Sequence, residues 1–132
     1  MIGYLRMNIP SYKLTKDYRV YLLDIIEAIE RITEYTQGVD EARFSQEIQL
    51  QDAVIRRFHI IGEAASKVPD IIRGEHPNIP WKKIVAQRNL IIHDYASVRP
   101  QEIWRVVIED LPQLLPQMRT VLVVLEKKMS KK

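Results

Sequence analysis

Cysteine is absent from this chain, so disulfide bonds and thiolate metal sites are excluded. Glycine is also scarce, with four residues among 132, and the long stretches between prolines are rich in Ile, Leu, Glu, Gln and Arg. That composition favours helices over a sheet. No segment alternates polar and apolar residues for long, as a half-buried strand would. The sequence therefore predicts a helical protein.

A glycine-rich phosphate loop and a nucleophile elbow are missing, so we expect no ATP pocket and no cofactor. The most apolar late stretch, Val121 to Leu125, is far shorter than the roughly 20 residues that span a bilayer. The first ten residues contain Arg6 and no sustained apolar run, so they do not resemble a signal peptide. We expect a cytoplasmic protein without membrane contact.

Length and charge set further bounds. A chain of 132 residues has the size of one ordinary domain, and we predict a single domain over 1–132 with flexible ends at 1–14 and 126–132. Met7 is an alternative start. The net charge of +3 and the pI near 9.2 permit contact with RNA without demanding it.

Apolar spacing predicts four main helices. The first covers Thr15 to Thr36, ends near Gly38 and carries an apolar stripe formed by Tyr18, Leu22, Ile25, Ile29 and Ile32. A short helical piece is predicted at Glu41 to Gln46, and a second long helix follows to about Lys67. Small side chains near its end would let another helix approach closely: Gly62, Ala64 and Ala65.

Prolines divide the second half of the chain. The segment from Pro69 to Pro80 is predicted to be a loop, and Pro80 suits the first turn of a third helix that fades near Tyr95 to Ser97. Pro100 opens the fourth helix. Short loops between long helices predict an all-α fold, an antiparallel bundle of four to five helices.

Two pairs of residues carry further structural expectations. Pro112 and Pro116 lie inside the fourth helix and predict a kink or break, because each removes a backbone donor and collides with the preceding turn. Trp81 and Trp104 are expected to anchor the core or a dimer interface.

Eight residues carry the strongest chemical signal: Arg88-Asn89-Leu90-Ile91-Ile92-His93-Asp94-Tyr95, which we call the octet. The Arg88 guanidinium can hold a phosphate through a bidentate fork, and the His93 imidazole can give or take a proton near neutral pH. Asn89 lies four residues before His93, so on a helix it could orient the imidazole or bind a substrate oxygen. Arg88 lies within an apolar stripe of the predicted helix, so its guanidinium must find an anion, a carbonyl or a subunit edge.

These groups suit the cleavage of RNA without a metal ion. RNA supplies its own nucleophile, the 2′-hydroxyl, so the reaction needs a base, an acid and positive charge on the transition state. One chain offers one histidine in the octet, whereas two chains related by a two-fold axis would bring two His and two Arg into one cleft. We therefore expect a homodimer. The Tyr95 hydroxyl could be modified beside that site.

Plainer interpretations of the same residues stay open. His93 near a helix C-terminus could only complement the helix dipole, and Arg88 and His93 could be dimer-interface groups without chemistry. Three carboxylates lie beside apolar positions on helices: Asp24, Asp52 and Glu63. Salt bridges or helix-surface solvation are favoured over a metal site there, because the Glu-x-x-His pair of di-metal bundles is absent.

The octet resembles the Arg-x4-His-x-Tyr motif of the HepT-like toxins of the HEPN superfamily. The resemblance extends from about Asp17 to Met118. It includes Tyr21-x-x-Asp24-Ile25, the segments 51–57 and 60–65, Ile79-Pro80-Trp81, and Ile103-Trp104 followed by Asp110-Leu111-Pro112. This combination is specific, whereas the bare Arg-to-His spacing is common.

The resemblance implies a HEPN fold, a homodimer with facing motifs, and a metal-independent endoribonuclease that acts as a toxin. Arg88 and His93 would be catalytic, with Asn89 as their polar neighbour. It also implies a cognate MntA-type nucleotidyltransferase antitoxin that transfers AMP from ATP onto Tyr95, in the manner of a type VII toxin–antitoxin system. The alternative is a non-catalytic helical module that binds a nucleotide or that nucleotidyltransferase.

Overall fold

The computed structural model describes residues 17–93 and 99–130, and the side chains of 17–88 and 99–130. All regular structure in these ranges is helical, which confirms the all-α prediction. The helices in chain order are α1 (Arg19–Thr36), α2 (Glu41–Gln46), α3 (Ile48–Ser66), α4 (Asp70–Glu75), α5 (Trp81–His93), α6 (Pro100–Arg105) and α7 (Leu111–Ser130). A π-helical segment, Val106–Asp110, joins α6 to α7.

Helices α1 and α3 form the centre of the bundle. Helix α1 packs against α3 and α7, and α3 also packs along α5. The predicted apolar stripe of α1 faces this core, where the most completely buried large side chains are Leu22, Ile25, Ile29, Ile32, Phe44, Val54, Met118 and Val121. No helix within the described ranges is long and apolar enough to cross a membrane.

The turns around α2 follow the sequence closely. Gly38 follows α1 with a φ of +74°, a left-handed conformation that glycine adopts without steric cost. The Asp40 carboxylate then accepts a hydrogen bond from the Arg43 backbone N–H at 2.8 Å and caps α2. Helix α2 has the predicted bounds, Glu41–Gln46.

The predicted loop between Pro69 and Pro80 is wrong in part, because it contains α4. Tertiary contacts hold this short helix in place. Ile72 is buried in the core, and the Arg73 guanidinium donates to the backbone carbonyls of Val68 at 2.9 Å and Ala65 at 2.7 Å. Arg73 thus satisfies carbonyls at the end of α3, which proline and glycine content alone did not reveal.

The prolines in the fourth helical run do not interrupt it. The sequence predicted a kink or break at Pro112 and Pro116. Helix α7 continues from Leu111 through Pro116 to Ser130, so a break there is wrong. The irregularity lies just before them, where the Leu111 N–H bonds to the Val106 carbonyl five residues back. A wider turn relieves the collision between a proline ring and the preceding turn.

Both tryptophans anchor the core, as predicted. Trp81 and Trp104 are 6% and 9% exposed. The Trp81 indole N–H donates to the His76 carbonyl at 3.1 Å and fixes the start of α5. The Trp104 ring lies 5.1 Å from the Phe44 ring, centroid to centroid, and ties α6 to α2.

Two of the predicted boundaries bear on the ends of the chain. Residues 1–14 lie outside the described residues. Helix α7 runs through most of the segment 126–132, with exposed side chains up to Ser130, and the Lys128 ammonium pairs with the Glu75 carboxylate of α4.

Candidate active site on helix α5

Arg88 lies on α5 in close contact with α3. A Cβ atom built on Gly62 of α3 would lie 2.3 Å from the Arg88 Cβ and 3.0 Å from its Cγ. Real Cβ atoms do not approach so closely, so this contact requires glycine at position 62. The close helix approach predicted from Gly62, Ala64 and Ala65 is confirmed, and it takes place at Arg88.

The Arg88 guanidinium finds an anion at the next residue of α3. Its Nη1 donates to Oε1 of Glu63 at 2.7 Å. The Arg88 side chain is 18% exposed and the Glu63 side chain 40%, so the pair lies at the edge of the bundle. Of the partners expected for Arg88, which were an anion, a carbonyl or a subunit edge, the structure shows an anion, and Glu63 forms a salt bridge, one of the two roles expected for it. The short distance is that of a charge-assisted hydrogen bond.

For the other octet residues, the structure describes either the backbone alone or nothing. Helix α5 continues through His93, so Asn89 and His93 lie about one turn apart along it. Their side chains lie outside the described residues, and so does Tyr95. The structure therefore gives the position of one predicted site residue, Arg88, and the helical register of two more.

Other basic residues near α5 are mostly solvated. Arg56, Lys82 and Lys83 are exposed. The Arg57 guanidinium bonds to the Tyr35 hydroxyl at 3.2 Å, and Arg99 is 74% exposed beside Glu102. Arg56, Lys82, Lys83 and Arg99 thus lie on solvated faces, whereas Arg57 braces α3 against α1.

A cavity of about 290 Å³ opens beside α5, one residue away from Arg88. Its lining is apolar at Phe58, Ile61, Ile84, Leu111 and Leu114, and it carries amides at Asn78, Gln87, Gln113 and Gln117. Sequence reasoning missed this cavity, because its residues are spread over α3, α5, α7 and the segment between α4 and α5. No motif or spacing signals such a grouping.

Within the described residues, no group of three or more His, Asp or Glu side chains is arranged to hold a metal ion. The carboxylates that the sequence singled out do not converge: Asp24 and Asp52 are exposed, and Glu63 faces Arg88.

Comparison with known proteins identifies the family. The family model for ribonuclease HepT-like proteins matches residues 25–121, a range that begins inside α1 and ends inside α7. The chain belongs to the HepT-like ribonuclease family. The resemblance noted in the octet and its flanks is thereby confirmed, and so is the predicted enzyme class, an endoribonuclease, at the level of this family.

Several curated proteins are similar to this HepT-like chain. It is 39% identical over 101 residues to "Probable ribonuclease HepT" of Thermococcus cleftensis, a match that covers 76% of this chain and 92% of that protein. It is 34% identical over 106 residues to a "Putative RNase" of Methanocaldococcus jannaschii, covering 80% of this chain and 97% of that protein. No solved structure gives a significant match.

A longer relative combines two named parts. "Gamma-glutamylcyclotransferase and putative RNase" of Methanocaldococcus jannaschii is 39% identical over 119 residues, which cover 90% of this chain. The chain spans 54%, about half, of the length of that relative.

Proposed function

We propose that this HepT-like chain is the toxin of a type VII toxin–antitoxin pair. In this proposal it is a cytoplasmic, metal-independent endoribonuclease whose site forms between two copies of the chain. Arg88 carries the proposal: its guanidinium is held at the bundle edge by Glu63, on the helix that also bears Asn89 and His93. A fixed cation at an accessible edge can receive an RNA phosphate.

The cleavage step uses the RNA 2′-hydroxyl as nucleophile. His93 takes its proton, the 2′-oxygen bonds to phosphorus, and the bond from phosphorus to the 5′-oxygen breaks. An acid then protonates the leaving 5′-oxygen. Arg88 stabilises the negative charge that builds on the phosphoryl oxygens, and Asn89 orients the imidazole or a substrate oxygen.

A homodimer supplies what one chain lacks. Each octet holds a single histidine, whereas the step above needs a base and an acid. Two copies related by a two-fold axis would place a second His93 and a second Arg88 in the same cleft, so we assign the acid to the partner's His93. Size-exclusion chromatography with light scattering should report two chains per particle.

Tyr95 is the proposed control point. A cognate MntA-type nucleotidyltransferase would bind this chain and ATP. The Tyr95 oxygen would then bond to the α-phosphorus, pyrophosphate would leave, and the phenol proton would pass to the transferase. The added phosphate is anionic and would compete with RNA for Arg88.

Cleavage of labelled RNA by the purified chain in EDTA tests the proposed enzyme. We expect cutting by the native chain and its loss in Arg88→Ala and in His93→Ala. Arg31→Ala is the matched control, since Arg31 is an exposed arginine of α1 that pairs only with helix neighbours Glu27 and Glu34 in the described contacts. Cutting that survives both octet substitutions would reject the site. RNA binding without cutting by any form would favour the binding module.

Expression in cells tests the toxin and its control. Growth should stop on expression of the native chain and continue with Arg88→Ala. Co-expression with the nucleotidyltransferase should restore growth and add AMP masses to the native chain but not to Tyr95→Phe. A transferase that is active on ATP but leaves Tyr95 unmodified would contradict the control point.

A further inference from the structure

Two successive residues of α3 act on Arg88, and they act on different parts of its side chain. Gly62 lies against the Cβ and Cγ atoms, and Glu63 holds Nη1 at the far end. We propose that Glu63 is the positioning residue of the cleavage reaction, which holds the Arg88 guanidinium in the orientation that meets the RNA phosphate. This inference rests on the proposed function, because it takes Arg88 as the group that contacts the phosphate.

Glu63 restrains what backbone packing leaves free. An arginine side chain has several rotatable bonds, and contact with Gly62 fixes only those nearest the backbone. The 2.7 Å bond from Nη1 to Glu63 restrains the last bonds, which turn the guanidinium plane. A guanidinium presents its donors in a rigid planar fork, so one bonded terminal nitrogen limits the directions that the rest can take. Such a cation needs no reorganisation when charge develops on the phosphate.

Fold stability accounts for only part of the Glu63 carboxylate. The Arg88 side chain is 18% exposed and requires a partner, but Glu63 is 40% exposed, and ion pairs that reach solvent contribute little to the free energy of folding. A carboxylate beside a phosphate site also repels the RNA backbone. Glu63 therefore lowers RNA affinity, and in this proposal it offsets that loss by raising the rate of the chemical step.

This opposition of effects gives a specific kinetic test. Glu63→Gln keeps the size of the side chain and removes its charge. We expect kcat for RNA cleavage to fall by at least about tenfold, less than the 10²–10³-fold typical of deleting a direct transition-state donor. KM should stay the same or fall, because a repulsive charge is gone. Glu63→Asp, which keeps the charge on a shorter stem, should restore part of the kcat.

Glu30→Gln is the matched control for charge and for ion-pair loss. Glu30 accepts a 2.9 Å bond from Arg119 and joins α1 to α7, and its side chain is 49% exposed. Its kinetics should stay within twofold of the native chain. Thermal unfolding of both variants should be alike, so that a fall in kcat for Glu63→Gln alone reflects the site.

The outcomes separate this inference from the proposed function. If Arg88→Ala abolishes cutting while Glu63→Gln has native kcat and KM, the positioning role is wrong and the active site stands. A higher kcat in Glu63→Gln would also overturn it, because Glu63 would then restrain catalysis. If Arg88→Ala cuts RNA like the native chain, the proposed function itself fails, whatever Glu63 does.

Discussion

The two neighbours of α3 are held by different kinds of contact. Towards α1, α3 joins a core of fully buried apolar side chains such as Ile25 and Val54. Towards α5, the packing also includes a glycine in contact with an arginine stem and an ion pair at the rim. Apolar contacts lower the free energy of folding without fixing any one atom, whereas the glycine and the ion pair fix the place of one guanidinium. One helix thus separates the residues that stabilise the fold from those that prepare the site.

Removing a buried apolar side chain between α1 and α3 should have the largest effect on stability. Ile25 is 0% exposed, so Ile25→Ala removes buried methyl groups and leaves a cavity. We expect a loss of about 2–5 kcal/mol in the free energy of unfolding, measured by urea denaturation. RNA cleavage per folded molecule should be unchanged. Leu23→Ala on the same helix is the control, because Leu23 is 50% exposed and should change stability by less than about 0.5 kcal/mol.

Adding a methyl group at the contact between α3 and α5 should affect both stability and catalysis. In Gly62→Ala the new Cβ would collide with the Arg88 Cβ, so α3 and α5 must separate. Overpacking of this kind costs about 1–3 kcal/mol. We also expect a fall in kcat for RNA cleavage, because Arg88 moves with α5.

Gly74→Ala is the control for Gly62→Ala. Gly74 lies in α4 with nothing within 4 Å of an added Cβ, so alanine should leave stability unchanged or raise it by up to about 1 kcal/mol. Equal stability and activity in Gly62→Ala and the native chain would contradict the close contact between α3 and α5.

A weaker effect is expected where an ion pair links helices without serving the site. Arg119→Gln removes the pair with Glu30 between α7 and α1, in which both side chains are about half exposed. We expect a loss of no more than about 1 kcal/mol, and a smaller loss in high salt. A loss above about 2 kcal/mol in the free energy of unfolding, measured by urea denaturation, would contradict this expectation, because a loss of that size is typical of a buried contact.

The smallest effect should come from the start of α1. The Arg19 side chain bonds to the Asp17 carboxylate at 2.8 and 2.9 Å, and these hydrogen bonds lower the pKa of Asp17. A lowered folded-state pKa gives stability that is present above the unfolded-state pKa and is lost as the pH falls through the folded-state value. The difference in Tm between the native chain and Asp17→Asn should therefore be constant near neutral pH and vanish in acid. A difference that grows in acid would contradict this sign.

Local signals predicted much of the fold. The bounds of α2 and the start of α6 at Pro100 agree with the prediction, because helix ends and proline geometry depend largely on neighbouring residues. The buried stripe of α1 followed from its apolar spacing in the same way. Gly62 indicated a close helix approach, although the sequence did not say which helix would fill it.

Contacts between distant residues were not predictable in this way. Glu63 and Arg88 are 25 residues apart on different helices, so only the need of Arg88 for an anion, a carbonyl or a subunit edge could be inferred, not the identity of its partner. Helix α4 was missed because its support comes from Arg73 bonds to α3 carbonyls. The sequence predicted a kink or break at Pro112 and Pro116, whereas the register change lies just before them, at Val106–Asp110. Sequence rules locate a collision and not the turn that absorbs it.

The π-helical segment Val106–Asp110 is equivalent to one extra residue inserted into an otherwise continuous α-helix. An α-helix turns by about 100° per residue, so removing one residue such as Glu109 would convert Val106–Asp110 to ordinary α geometry and rotate everything before it by about that angle relative to α7. Trp104 would then rotate away from Phe44, while α7 stayed packed against α1. The π-helical segment therefore sets the rotation of α6 relative to α7, so that α6 packs against α2 while α7 packs against α1.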